Sequence, residues 1–247
     1  MFDRPPWTGF LAAALLAGLV SCAAPPRPAA GPPAPETTRP PAAAGILYEV
    51  FDSEVTLRVY RDGPLAQLGH NHVIASTGLT GQIELRRPLA TTTLALELPL
   101  ESLIVDDPAR RAEAGEEFPG ELSAPDREGT RANMLGTALL DAAQFPVMLL
   151  EGRAIDGDSP DFSVTARVSL AGRQRDIVVP VRLELDGDWL IASGHFTLTH
   201  AQLGLSPFSV ALGALRVRED IEVGYRLSAR RAGSGGSTRG GRPGDRP

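Results

Sequence analysis

Residues 162–185, FSVTARVSLAGRQRDIVVPVRLEL, decide the fold. Phe162, Val164, Ala166, Val168 and Leu170 alternate with Ser163, Thr165, Arg167 and Ser169. A period of two places alternate side chains on opposite faces of a strand. Ala171-Gly172 interrupts the pattern, which resumes at Ile177, Val179, Val181, Leu183 and Leu185, with Arg182 and Glu184 between. The stretch reads as a β-hairpin with one apolar face and one polar face.

The same alternation recurs on both sides. Upstream, Ile46–Asp52 and Glu54–Tyr60 are short β-type runs, the second with Val55, Leu57 and Val59 on one face. Leu79, Gly81, Ile83 and Leu85 form another face, and Leu94, Leu96 and Leu98 a further one within 91–100. Downstream, Val147–Ala154 places Met148 and Leu150 together. In 189–199, Leu190, Ala192, Phe196 and Leu198 alternate with Ser193, His195, Thr197 and Thr199. Ile221, Val223, Tyr225 and Leu227 close the series. Between Asp106 and Asn133 the alternation lapses. There Ser123, Pro125 and Asp126 form an N-terminal helix signal, predicting one helix over 124–135. The remaining charges, Asp106-Asp107 and Glu116-Glu117 among them, read as a solvated insertion.

Eight to nine regular antiparallel strands expose more apolar faces than one helix can cover, so the sheet is expected to close on itself. The fold expected is all-β: an extended eight-stranded antiparallel lipocalin-like barrel with one helical insertion. With only eight Phe and two Trp in 247 residues, inward positions are mostly Val, Leu and Ala, which predicts a slender apolar cavity. Its expected lining is Leu57, Leu96, Met134, Met148, Leu150, Val164, Val168, Val181, Phe196, Leu198 and Tyr225.

Both ends of the chain differ in character. Phe10–Val20 is an apolar stretch too short to span a bilayer, preceded by Arg4, and reads as the core of an export signal. It runs into Leu19-Val20-Ser21-Cys22, which resembles a bacterial lipobox. Residues 1–21 are therefore expected to be a lipoprotein signal peptide, with Cys22 lipidated. Residues 22–45 are rich in Pro and Ala and read as an extended tether, 46–230 as the folded domain, and 231–247 as a Gly/Arg tail. The location expected is the periplasmic side of a bacterial envelope. Absence of Asp after Cys22 favours outer-membrane attachment.

Net charge is −6 and pI about 5.3, which argues against a nucleic-acid partner. Every basic side chain is Arg, so a Schiff-base or phosphate-loop lysine is excluded. Cys22 is the sole cysteine, and no intramolecular disulfide can form. No nucleophile elbow, His-Glu-x-x-His or Gly-rich phosphate loop is present, so an enzyme is not expected.

The ordered features resemble the YceI-like family of bacterial envelope proteins over Ile46–Ala229. The residues that carry the likeness are Asn133-Met134-Leu135-Gly136 leading to Phe145-Pro146-Val147-Met148, the Val164–Val181 hairpin with Gly172 at its turn, and Gly194-His195-Phe196-Thr197-Leu198 with Gly204-Leu205. The resemblance implies a lipocalin-like barrel holding a polyisoprenoid or isoprenoid-quinone chain. The segment Leu68-Gly69-His70-Asn71-His72 departs from the family, which usually carries a lone His before a Leu-Gly pair. His200 stands where the family often has Arg.

Four histidines fall in two places. In a strand His70 and His72 would share a face, and His200 shares parity with Phe196 and Leu198. The three are candidates for a ligand-head subsite or for a transition-metal site, and anchoring of loops is the plainer alternative. Three functions thus stand open: an anchored isoprenoid carrier, a histidine-based metal or stress protein, and a ligand-free structural barrel. No cofactor is assigned, and an isoprenoid lipid is the candidate. The partners expected are an apolar lipid, the membrane through the N-terminal anchor, and a second copy as a homodimer.

Overall fold

A computed structural model describes residues 45–234. The export segment, Cys22, the tether to residue 44 and the tail from 235 lie outside the described residues. Eleven strands form one antiparallel sheet: β1 (Ile46–Asp62), β2 (His72–Ser76), β3 (Thr80–Leu85), β4 (Thr93–Pro99), β5 (Ile104–Val105), β6 (Val147–Asp158), β7 (Asp161–Leu170), β8 (Arg173–Asp186), β9 (Trp189–Thr199), β10 (Ser209–Val210) and β11 (Leu215–Arg231). Two helices follow β5: α1 (Pro108–Ala114) and α2 (Ala124–Leu135).

The sheet closes. Around the ring the order is β1, β11, β9, β8, β7, β6, β4, β3 and back to β1, which makes the expected eight-stranded barrel. The long strand β1 achieves this by serving two neighbours on one edge. Its first half pairs with β3 (Ile46 opposite Leu85) and its second half with β2 (Val55 opposite Ser76). Its other edge pairs with β11 over nearly its whole length. The two runs read from sequence on either side of Ser53 are thus one strand, bent by bulges at Val50/Asp52 and Val59/Arg61. A bulge adds a residue without ending a strand, so it imitates a boundary in the sequence pattern. The short strands β2 and β5 extend the wall beyond the ring.

The hairpin of the opening stretch is β7–β8. Leu170 faces Arg173, so Ala171 and Gly172 form a two-residue turn with φ of 49° and 70°. Positive φ at both central residues matches the right-handed twist of the strands. A Cβ on Gly172 would stand 2.6 Å from the Phe145 ring, which closes over the turn. Phe162, Val164, Ala166, Val168 and Leu170 are all buried, and Ile177 with them. Leu185, expected on the same inner face, is 48% exposed, although its cross-strand partner Leu190 is buried and lines the bore; it lies one pair from the end of β8. The outer face carries charge pairs such as Arg167–Asp176, joined by two bonds of 2.8 and 3.0 Å.

The helical region differs from expectation by one helix. α2 spans 124–135, with Ser123 Oγ accepting from Asp126 N and Pro125 in the first turn. α1 is additional. Asp107 caps it by accepting from the backbone N–H of Ala109 and Arg110, and Pro108 occupies its first position. The cap-and-proline signal is the same in both helices. In α1 it was masked by the adjoining charges. α1 also carries Arg111 inward, 2% exposed, to meet Asp106, which is wholly buried. The reading of Asp106 as a solvated charge is therefore corrected, whereas Asp107 beside it is a half-buried cap.

Candidate functional site: an apolar tube with one polar end

Inward side chains of the ring do not meet across it. They line a cavity of about 410 Å³. All eleven residues expected on its wall line it: Leu57 from β1, Leu96 from β4, Met134 from α2, Met148 and Leu150 from β6, Val164 and Val168 from β7, Val181 from β8, Phe196 and Leu198 from β9, and Tyr225 from β11. Alternation explains the agreement, because in a closed barrel every second residue faces the bore. Leu139, Leu140, Leu203, Leu205 and Phe208, from loops at the end where α2 lies, complete it there.

Tyr225 is a wall residue whose polar atom sits among apolar groups, and it is satisfied. Its hydroxyl donates to the Pro180 carbonyl oxygen at 2.7 Å. The β8–β9 ladder stops at Arg182 and Ser193, so this carbonyl has no partner on β9 and the tyrosine substitutes for one. Gly194 makes room for it: a Cβ there would collide with the Pro180 oxygen and the Tyr225 ring. Burial pushes the phenol pKa upward, well above that of a free tyrosine. Tyr60, outside the bore, is raised to about 12, first by burial and then by the Glu222 carboxylate beside it.

The polar wall residues gather at the α2 end: His72, Thr130, Asn133 and His200. Thr92 is at the other end, where its hydroxyl accepts from Arg86 N at 3.0 Å. His72 opens β2 opposite Val59, Val59 faces Ile221 on β11, and Ile221 faces Leu198 on β9. His200 follows β9 by one residue, 5% exposed, and its backbone N–H donates to Glu219 O. The two rings therefore belong to one end of the tube. His200 Nδ1 lies 2.9 Å from Glu219 O, and His72 Nδ1 lies 2.6 Å from Asp106 Oδ2.

Asp106 anchors this end. Its Oδ1 accepts from Val73 N at 2.9 Å and from Arg111 Nη1 at 2.6 Å. Arg111 is itself fixed by the carbonyls of Asn71 (2.7 Å), Gly120 (3.1 Å) and Pro119 (3.3 Å). Burial alone would raise the Asp106 pKa. Hydrogen bonds from His72, Val73 and Arg111 outweigh it and hold the carboxyl below its usual range. The residue adopts φ of 52°, a left-handed conformation that Asp tolerates better than most. Neither Asp106 nor Arg111 was singled out from sequence, because a buried pair and a solvated pair look alike in a charged stretch.

His70 does not join this group. It precedes β2, is exposed, and its ring centroid lies 6.5 Å from that of His72. The shared face expected from strand parity therefore does not arise. Among the described residues no three His, Cys, Asp or Glu are grouped to hold a metal ion. The donor set fits a buried hydrogen-bond network, not a metal centre.

No family model and no curated protein matches the chain. Solved structures do. BcnA of Burkholderia cenocepacia aligns with 71% of this chain and 95% of its own, at 13% identity and a TM-score of 0.52. A polyisoprenoid-binding domain from Saccharophagus degradans, implicated in plant cell wall breakdown, aligns with 75% of this chain and 99% of its own, at 13% identity and a TM-score of 0.50. A Campylobacter jejuni YceI protein aligns over 61% and 82%, at 13% identity and a TM-score of 0.41, too low to argue from. At these identities the likeness establishes the fold, and the fold is the extended barrel that the YceI-like resemblance implies.

Proposed function

We propose that this chain carries a long isoprenoid-type lipid, a polyprenyl or quinone tail, inside its barrel. We propose further that lipidated Cys22 and the Pro-rich tether hold it at the periplasmic side of the cell envelope, at the outer membrane. The observation that carries the reading is the apolar bore of about 410 Å³, within the range of small-molecule sites. Burial of a ligand chain there is favourable by about 25 cal/mol per Å² of apolar surface. The same barrel occurs in a domain described as polyisoprenoid-binding. A binding role accounts for the wall better than a catalytic one, since its polar groups are few and the buried ones are tied to the protein.

A barrel filled by its own side chains is the reading the open bore argues against. Organic extraction of the purified chain followed by mass spectrometry tests the carrier role. Recovery of a polyprenyl lipid in near-stoichiometric amount supports it, and repeated absence of any such lipid refutes it. Anchoring is tested separately by fractionating Cys22→Ala: the variant should leave the membrane fraction.

A further inference from the structure

The α2 end of the bore differs from the rest in kind, and its hydrogen-bond polarity can be worked out. A carbonyl oxygen only accepts, so His200 Nδ1, 2.9 Å from Glu219 O, carries a hydrogen. An ionised carboxylate likewise only accepts, so His72 Nδ1, 2.6 Å from Asp106 Oδ2, carries one too. In a neutral imidazole the other nitrogen then presents a lone pair. Among the described residues neither Nε2 has a hydrogen-bond partner, and both rings form part of the cavity wall. The site thus offers two acceptors fixed in tautomer by the protein itself.

Its charge is also determined. The Asp106 carboxylate is matched by the Arg111 guanidinium at 2.6 Å, and both are buried. No Arg lies on the cavity wall. An anionic head group would enter with no cation waiting for it, and an uncompensated charge in such surroundings is costly.

We propose that this end is a head-group subsite for an uncharged hydroxyl-bearing isoprenoid (a prenol, phenol or quinol), selected over forms that only accept hydrogen bonds and over prenyl phosphates. The inference rests on the carrier reading above and adds the chemistry of the head. The ligand hydroxyl donates to Nε2 of His200 or His72. Thr130 and Asn133 of α2 stand on the same part of the wall to complete its hydration shell. Selection follows from the hydrogen bond that an acceptor on the bore wall gains only from a ligand able to donate. Asp106 is a positioning residue: it sets the tautomer of His72 and touches no ligand.

The test uses the full chain, freed of co-purified lipid, at pH 8. Three probes share one tail: geranylgeraniol, its methyl ether and geranylgeranyl phosphate. The alcohol should bind about three- to tenfold more tightly than the ether, the difference one net hydrogen bond makes. The informative variants are His72→Asn and His200→Asn. An Asn amide reproduces the Nδ1 donor, and so the bond to Asp106 or Glu219, but has nothing at Nε2. In the double variant the alcohol-to-ether ratio should fall to about one with ether affinity unchanged, a pattern that a merely structural role would not produce. If the wild-type chain binds ether or phosphate as tightly as the alcohol, the inference is overturned while the carrier reading stands. If none of the three binds, both fall.

Discussion

Asp106→Asn is the most demanding test of how the α2 end is held. The side chain is wholly buried, and its partner Arg111 is 2% exposed. Asn suits the left-handed backbone at this position, so the change is one of charge and hydrogen bonding. The carboxylate faces three donors, from His72, Val73 and Arg111. An amide has one accepting oxygen, so it can keep Val73 and Arg111 only by turning its nitrogen towards His72, which must then switch tautomer. Arg111 keeps its three carbonyl partners but loses its counter-charge. Breaking a buried pair by removing one member costs about 3–5 kcal/mol, because the remaining charge stays desolvated. With a urea m-value of about 2 kcal/mol/M, the midpoint of unfolding should fall by about 1.5–2.5 M. Equilibrium urea denaturation followed by circular dichroism measures this. Arg111→Met should cost a similar amount, and the double variant less than the sum of the two. A loss below about 1 kcal/mol for Asp106→Asn, or strict additivity in the double variant, would show that the pair contributes no more than an exposed one, and the account of this end would be wrong.

Three further outcomes follow from the same structure. Because the Asp106 pKa is lower in the folded chain than its unfolded value of about 3.9, the carboxylate stabilises the fold above that pH. This contribution should disappear as pH falls through the folded value, and Asp106→Asn should flatten the acid limb of a stability-against-pH curve. Tyr225→Phe removes the hydroxyl that donates to the Pro180 carbonyl and should cost about 1–3 kcal/mol in denaturant unfolding, with Gly194→Ala at least as damaging because its Cβ meets the same oxygen and ring. Val168→Trp places a large ring in the bore: co-purified lipid should drop severalfold by mass spectrometry, while far-ultraviolet circular dichroism stays that of a β-protein.

The bore was legible because a closed antiparallel barrel repeats one rule along every strand. Phe162 to Leu170 alternate without error, Leu190 to Leu198 depart only at Ile191 and Gly194, and alternation assigns the other residues to a face. The α2 boundaries were legible because Ser123 and Pro125 are local signals with local causes. What stayed hidden depends on distant partners. Asp106 is buried by α1 and β2, and nothing within its own neighbourhood distinguishes it from Glu116 or Glu117. His70 and His72 were paired by assuming a strand that begins two residues later than expected. Leu185 follows the inward period but lies one pair from the end of its hairpin and is exposed.

The seam between the first and last strands sets how this barrel can be made. Asp62 and Arg216, 154 positions apart, face each other across it, and the ladder continues to Tyr48 and Arg231. Such high contact order makes closure a late and slow event in folding. A chain lacking Leu215–Arg231 would leave one side of β1 and one side of β9 as bare edges, each a template for pairing with another molecule. The hollow itself exists only once the two extremes of the domain have met, so a guest can be received by a finished vessel alone and has no part in shaping an unfinished one.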